Sequence, residues 1–478
     1  MGKKDEGKRS ESDTMGQVAL PAWAYWGAQT QRAVENFGVS DKRIPVLMVQ
    51  ALGLIKATAA EVNAGLGTVP KDLAQAVVKA AGEVREGRWN EHFPIDVFQT
   101  GSGTSWNMNA NEVIANRANE LLGSPLGAKK PVHPNDHVNR GQSSNDVIPT
   151  AMHIADRLAA TKLLSALEDL EQGLSDKAKT FVAVIKIGRT HLQDAVPITL
   201  GQEFSGYASQ IRKGIKRLKN ALPHLEELAL GGTAVGTGLN AHPEFAPRVI
   251  ERIARLTKVP FRQAENLFEA LACRDAQAEL MGALNVLAGS LLKIGNDLRL
   301  LSSGPRAGLG EIVLPPLQPG SSIMPGKVNP VIPEMVIQAA VYVKGKAASV
   351  GMAASSAPLE LNIMMPLIAY ETLDSLGLLT NTARVLNERC IRGIEADPER
   401  CADWVEWSLA LVTPLANRIG YDKAAEIAYR AYKEKKRVRQ LVAESGLLSP
   451  EEIEKVLDPK SMVGGGRMKF QGGPSARV

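Results

Sequence analysis

The sequence predicts a mainly α protein: an elongated central helical bundle with smaller helical domains at its N- and C-terminal ends. Three observations lead there. Apolar residues recur at helical spacing in three separate long segments. Alternation of the kind that marks half-buried strands is scarce. The periodic segments also imply several helices of roughly 20 to 30 residues, well beyond the ~11 to 12 of an average globular helix. At 478 residues, 44% of them apolar, the chain has ample material for two or three domains.

Met1 to Thr14 and Gly464 to Val478 hold too few spaced apolar side chains to offset the entropy of ordering, so both read as mobile tails. Residues 1–140, rich in Gly, Asn and Pro near their end, form an N-terminal domain. The central long-helix domain spans 141–397. Its first stripe is Leu158, Leu163, Leu164, Leu167, Leu170 and Leu174, within Met152 to Leu174. The second is Phe204, Tyr207, Ile211, Ile215, Leu218 and Leu222, stopped by Pro223. The third is Leu280, Leu284, Leu287, Leu291, Ile294 and Leu298. Here Gly282, Gly289 and Gly295 each cost up to ~1 kcal/mol unless close helix contact compensates, which marks a tight bundle interface. Further long helices are expected from Glu334 to Ala348 and from Pro366 to Arg389, the latter with proline in its first turn. Pro398 to about Pro459 has shorter helices and more charge, including a helical Ala424 to Arg439, so 398–478 is a small C-terminal helical domain with its tail. The long apolar faces exceed what one subunit covers, and self-association is their outlet.

The net charge of +5, from 56 basic and 51 acidic side chains, is spread along the whole chain. Nucleic-acid binding would want a clustered basic patch; mild positivity suits a small dianionic substrate. Cys273, Cys390 and Cys401 have no paired spacing, which points to a reducing cytoplasm. Apolar runs break well before ~18 residues, so no membrane span is expected, and Met1 to Thr14 has no secretory apolar region.

The most informative stretch is Gly320-Ser321-Ser322-Ile323-Met324-Pro325-Gly326-Lys327-Val328-Asn329-Pro330, which sets two hydroxyls, a cation and an amide on a glycine-hinged loop leading into a helix. The helix start would turn its amides and positive dipole end toward an anion. A Walker phosphate loop is excluded, because five residues separate Gly320 from Gly326 and Val328 follows Lys327. A second cluster is Gly188-Arg189-Thr190-His191-Leu192-Gln193-Asp194. His191 is its acid/base candidate, since imidazole titrates near neutrality without help, and Glu334 is available as its carboxylate partner. Gly101-Ser102-Gly103-Thr104, followed by Asn107, Asn109, Asn111 and Glu112, would let backbone amides approach an oxyanion, or would serve as an ordinary helix cap. His133-Pro134-Asn135-Asp136-His137 has two histidines four apart, but no third histidine or cysteine completes a metal site. Ser143, Ser144 and Asn145 offer donors better suited to a carboxylate. Each cluster is expected at the mouth of a long helix.

Taken together, these clusters resemble the class II fumarase family within the fumarase/aspartase superfamily, from about Asp13 to about Met462. The 320–330 loop marks the superfamily and Gly188-Arg189-Thr190-His191 narrows it, because aspartate ammonia-lyases typically carry glutamine where His191 stands. The resemblance implies reversible hydration of fumarate to L-malate through an aci-carboxylate intermediate, with no metal or organic cofactor. It assigns Ser321 as carbon base, His191 oriented by Glu334 as acid, and Lys327 and Asn329 to the developing charge. Ser102, Gly103, Thr104, Ser143, Ser144, Asn145, Thr190 and Ser322 bind substrate oxygens, and His133, Asn135 and Asp136 match a second anion-binding segment. It further implies a homotetramer whose active sites are each assembled from three subunits. The chain departs from the family at Trp106, at Arg140-Gly141 and across Ala353 to Pro358; Trp106 either narrows the pocket or packs. Alternatives are an aspartate ammonia-lyase and a non-catalytic structural homologue.

Overall fold

A computed structural model describes residues 7–464, 467–468 and 476–477. Helix dominates, as predicted. The chain opens with an antiparallel hairpin, β1 (Lys8–Asp13) and β2 (Gly16–Pro21). It continues through α1 (Ala28–Asn36), α2 (Val46–Gly65), α3 (Lys71–Arg85), α4 (Thr104–Leu121) and the long α5 (Ser144–Thr180). A second hairpin, β3 (Ile185–Thr190) and β4 (Gln193–Thr199), leads into α6 (Leu200–Ala221). Then β5 (Glu227–Leu228) pairs in parallel with β6 (Arg262–Gln263) across α7 (Phe245–Thr257).

After α8 (Leu267–Ala272) come α9 (Asp275–Leu301), β7 (Ile312–Val313), α10 (Val331–Ala354), α11 (Met365–Arg389) and β8 (Glu395–Ala396), which pairs with β7. Short helices finish the fold: α12 (Pro398–Trp407), α13 (Val412–Ile419), α14 (Tyr421–Glu434), α15 (Val438–Ser445), α16 (Pro450–Val456) and α17 (Pro459–Val463).

The chain divides into two compact units, 1–164 with 217–286 and 342–378, and 165–216 with 287–341 and 379–478. The helical stripes form the cores. Every residue of the second and third stripes is buried, as are Leu163, Leu164, Leu167, Leu170 and Leu174 of the first, while Leu158 is half-buried. The α6 helix stops at Ala221 and a 3₁₀ turn carries Pro223, as that residue's missing N–H requires. In the second unit, Val405, Leu411, Leu415, Ile427, Leu441 and Leu457 from the terminal helices close a core around Ile187 of β3.

Three expectations change. Residues 8–13 are a strand rather than a tail, fixed by Arg9, whose guanidinium donates to the carbonyls of Pro21, Ala24 and Trp26 and pairs with Glu11. Residues 1–6 and most of Gly464 to Val478 lie outside the described residues. The Ala424 to Arg439 segment is two helices, broken where Lys435 takes a left-handed φ of 51°. Among the three α9 glycines, only Gly295 packs tightly within this chain, 3.2 Å from the Pro333 carbonyl at the position a Cβ would take; Gly282 and Gly289 meet nothing there.

Candidate active site

In the first unit, Gly103 adopts a left-handed φ of 69° ahead of α4, turning the chain so that Ser102 and Thr104 share one side. Ser102 Oγ lies 2.8 Å from Thr104 Oγ1, which lies 2.8 Å from Ser144 Oγ at the start of α5. Hydroxyls from two helix starts thus form one continuous chain, with free capacity to donate to an oxyanion. Gly101 anchors it: its carbonyl accepts the Met365 N–H at 3.0 Å, and a Cβ there would overlap the Ile363 carbonyl.

Behind Ser143, Ser144 and Asn145 stands Asp146, fully buried, whose carboxylate accepts the N–H groups of Ser143, Gly231 and Thr233, each at 3.0 Å. Burial pushes its carboxyl up to about 6 despite those bonds. Lys56, fully buried on α2, donates to Asn139 Oδ1 at 2.8 Å and Gln142 Oε1 at 3.0 Å; burial drives its ammonium down to about 7. Asn107 and Asn111 donate to the same Asn139 oxygen. Asn107 and Asn111 thus prop Asn139, while Asn109 donates to the His92 carbonyl at 2.9 Å. Glu112 likewise faces inward, accepting N–H groups from Gly27, Gln29 and Thr30 at the start of α1. Trp106 is fully buried and packs in this unit's core.

His133 caps a single π turn, Pro134–Val138, its Nδ1 accepting from the N–H groups of Asn135 and Asp136. His137 Nδ1 in turn accepts the His133 N–H at 2.8 Å. Both imidazoles are thus engaged in local caps through Nδ1. Asn135 and Asp136 are exposed at this turn.

In the second unit, His191 sits at a hairpin tip instead of a helix mouth. Thr190 pairs with Gln193, leaving His191 and Leu192 as a two-residue loop with φ of 56° and 62°. This is the type I′ pattern, usually Asn-Gly, and leucine in that region carries ~1 to 2 kcal/mol of strain. The strands beneath are held by buried charge: Lys186 lies 2.9 Å from Glu203 and 3.1 Å from Glu311, and Arg189 lies 2.9 Å from Glu311. Thr190 and His191 are exposed.

The 320–330 loop is pinned at its neck, where Gly320 N donates to the Lys327 carbonyl and Asn329 Nδ2 donates to the Gly320 carbonyl. Ser321 Oγ accepts the N–H groups of Ile323 at 3.3 Å and Met324 at 3.1 Å. A cavity of about 420 Å³ is lined by Ser321, Met324, Gly326 and Lys327, among others. Lys327 and Ser322 are exposed, and Glu334 is half-buried in the first turn of α10. Among the described residues, no hydrogen bond or ion pair joins His191 to Glu334 or Lys327 to any carboxylate.

The structure thus joins Ser102, Thr104 and Ser144 in one hydroxyl chain and gathers Ser321, Lys327 and Asn329 on one pinned loop. Sequence reasoning missed Lys56, Asp146, Lys186 and Glu311. A lone lysine inside the apolar run of α2 was the one available signal for Lys56.

A sequence profile described as Lyase matches residues 16–345, and one described as Fumarase C C-terminus matches 411–464. The class II fumarate hydratase of Methylorubrum extorquens is 52% identical over 456 residues, covering 95% of this chain and 97% of that relative. The mitochondrial fumarate hydratase of Rattus norvegicus is 51% identical over 459 residues, covering 95% and 90%. The crystal structure of class II fumarase from Schistosoma mansoni superposes with a TM-score of 0.92 at 42% identity, covering 95% of this chain and 99% of that one.

Proposed function

The chain belongs to the class II fumarate hydratase family, and from that premise we propose how its residues divide the work. The enzyme is a lyase that interconverts fumarate and L-malate, with a small dicarboxylate as substrate. In the dehydration direction, Ser321 takes the proton from the carbon beside one carboxylate, and the electron pair spreads into that carboxylate as an aci-acid dianion. His191, oriented by Glu334, delivers a proton to the departing hydroxyl, which leaves as water; hydration runs the same steps in reverse.

The observation that carries this reading is the environment of Ser321 Oγ, which accepts two backbone N–H groups on the loop that bears Lys327. Serine is a poor base until its alkoxide is stabilised, and two oriented amides beside a cation do that. Lys327 and Asn329 then meet the charge developing on the substrate carboxylate, where one such donor can be worth ~3 to 4 kcal/mol. Ser102, Gly103, Thr104, Ser143, Ser144, Asn145, Thr190 and Ser322 hold substrate oxygens. His133, Asn135 and Asp136 form a second anion site.

The working form is a homotetramer with each site built from three subunits. Apolar side chains exposed beside the site segments support this: Leu192 at the hairpin tip, Ile323 and Val328 on the signature loop, Ile363 next to Gly101. On α10, Val341, Tyr342 and Met352 are also exposed. The chain carries these segments in an N-terminal domain, 1–140, and a central long-helix domain, 141–397, the latter holding both the His191 and the Ser321 segments, with a small C-terminal domain, 398–478, after them. Three free thiols, Cys273, Cys390 and Cys401, support a cytoplasmic location, whereas the rat relative is named as mitochondrial.

The test is loss of the conjugated diacid when purified protein meets fumarate, with and without ammonium. Ammonium-independent loss is expected; loss that needs ammonium would identify an ammonia-lyase, and no loss a silent scaffold. Ser321→Ala and His191→Asn should each lower turnover by roughly 10²- to 10⁴-fold with the oligomer intact. Parental rates in both would remove their assigned roles.

A further inference from the structure

Away from these segments, the first unit contains a cavity of about 350 Å³ where α8 and α9 meet α5 and β5. Arg274, 1% exposed, is among the residues that line it; its Nη2 donates to the Ala270 carbonyl, while Nε and Nη1, both closed to solvent, have no hydrogen-bond partner. No carboxylate among the described residues forms an ion pair with it. Glu269 and Asp275 attract it from a distance, but a buried guanidinium with no direct anionic partner still costs several kcal/mol, and the cavity beside it leaves room for one. Burial lowers its pKa only to about 10, which leaves it cationic at neutral pH. His153 beside it also has an unpartnered Nδ1, and burial together with Arg274 drives that ring down to about 3, so it adds no second positive charge.

The mouth has the opposite sign. Glu269 and Asp275 are exposed there, and neither is in an ion pair among the described residues. The other two lining carboxylates are committed elsewhere, Glu279 to His224 and Glu227 to Arg262. A plain dianion must pass two free carboxylates to reach Arg274, and a plain cation is repelled from the interior. A molecule with an anionic end and a cationic end satisfies both, and the volume lies at the small end of ligand pockets.

We propose that this cavity binds a small zwitterionic amino acid, with its carboxylate drawn to the Arg274 guanidinium and its ammonium on Glu269 and Asp275. The site is separate from the catalytic assignments and does not depend on them.

The test is calorimetric titration of the full-length protein with each of the twenty amino acids, and with acetate and methylammonium as the two isolated halves. At least one amino acid should bind about tenfold or more tightly than either half. Arg274→Gln should weaken that binding by about tenfold or more, as expected for losing a charge-assisted bond. Exposed Glu269→Gln should weaken it severalfold and leave fumarate turnover unchanged. The proposal is overturned if no amino acid binds, if acetate binds equally well, or if Arg274→Gln keeps full affinity. Should Arg274→Gln fail to fold, unchanged affinity in Glu269→Gln overturns it.

Discussion

Replacing Gly101 with alanine probes how the first hydroxyl cluster is held. The new methyl would sit 2.5 Å from the Ile363 carbonyl carbon and 2.7 Å from its Cβ, while overlapping the carbonyl oxygen outright. Ordinary carbon contacts are near 3.5 Å, so the two backbones must part by roughly 1 Å. Overpacking of that kind costs ~1 to 3 kcal/mol. Parting them also stretches the 3.0 Å bond from Met365 N to the Gly101 carbonyl, worth ~1 kcal/mol. A loss of ~2 to 4 kcal/mol follows, read as a lower urea midpoint. Because Ser102 is the next residue, a shift of ~1 Å should also lower kcat/KM by ~10²-fold. Gly82→Ala on α3 is the control, since its methyl meets nothing and removes a helix-interior glycine; it should gain ~0.5 to 1 kcal/mol with unchanged kinetics. A Gly101→Ala variant within ~0.5 kcal/mol of the parent and within twofold in kcat/KM would refute the reasoning.

The buried Lys56 has a folded pKa of about 7 against 10.5 in the unfolded chain, so the unfolded state binds more protons across that window and this residue's contribution to stability rises with pH from about 7 to 10. Lys56→Met should flatten urea midpoints measured between pH 7 and pH 9.5, and an unchanged slope would count against the assignment. Leu192→Gly relieves a left-handed φ of 62°; it should raise the unfolding temperature while lowering kcat, because the His191 loop loosens. Mixing inactive His191→Asn with inactive Ser321→Ala, after dissociation and reassembly, should restore part of the turnover if sites are shared, and a silent mixture would argue against shared sites.

The three apolar stripes were legible because burial of a long helix demands a 3.6-residue period, and nothing tertiary opposed it. The hairpin carrying His191 was not. Gly188 interrupts its alternation, Pro197 sits inside β4, and the turn uses His-Leu where Asn-Gly would have announced it. The hydroxyls and the signature loop were visible as residue types, since their chemistry is carried by side chains adjacent in sequence. Their supports were invisible for the opposite reason. Lys56 reaches partners 83 and 86 positions away, and Asp146 takes two of its three bonds from residues 85 and 87 positions away. Arg274 reads as an ordinary helix-start residue until its burial is known.

Those supports share a physical logic. In the first unit the serines assigned to the substrate stand on a fully buried carboxylate, with a buried ammonium holding the segment just before them; in the second, the hairpin bearing the imidazole stands on buried Lys186 and Glu311. Desolvating such charges offsets most of what their attraction returns, so well-packed apolar residues would serve stability at least as well. What apolar packing cannot supply is direction. An Asp146 that accepts three named N–H groups has one position, and the strained loop at His191 and Leu192 persists only because the strands beneath it are over-determined. A trianionic intermediate is stabilised only by donors already aimed at it, because reorienting them during the reaction would consume the gain. Buried charge placed behind each segment assigned to the substrate is therefore best understood as fixing position at the expense of stability.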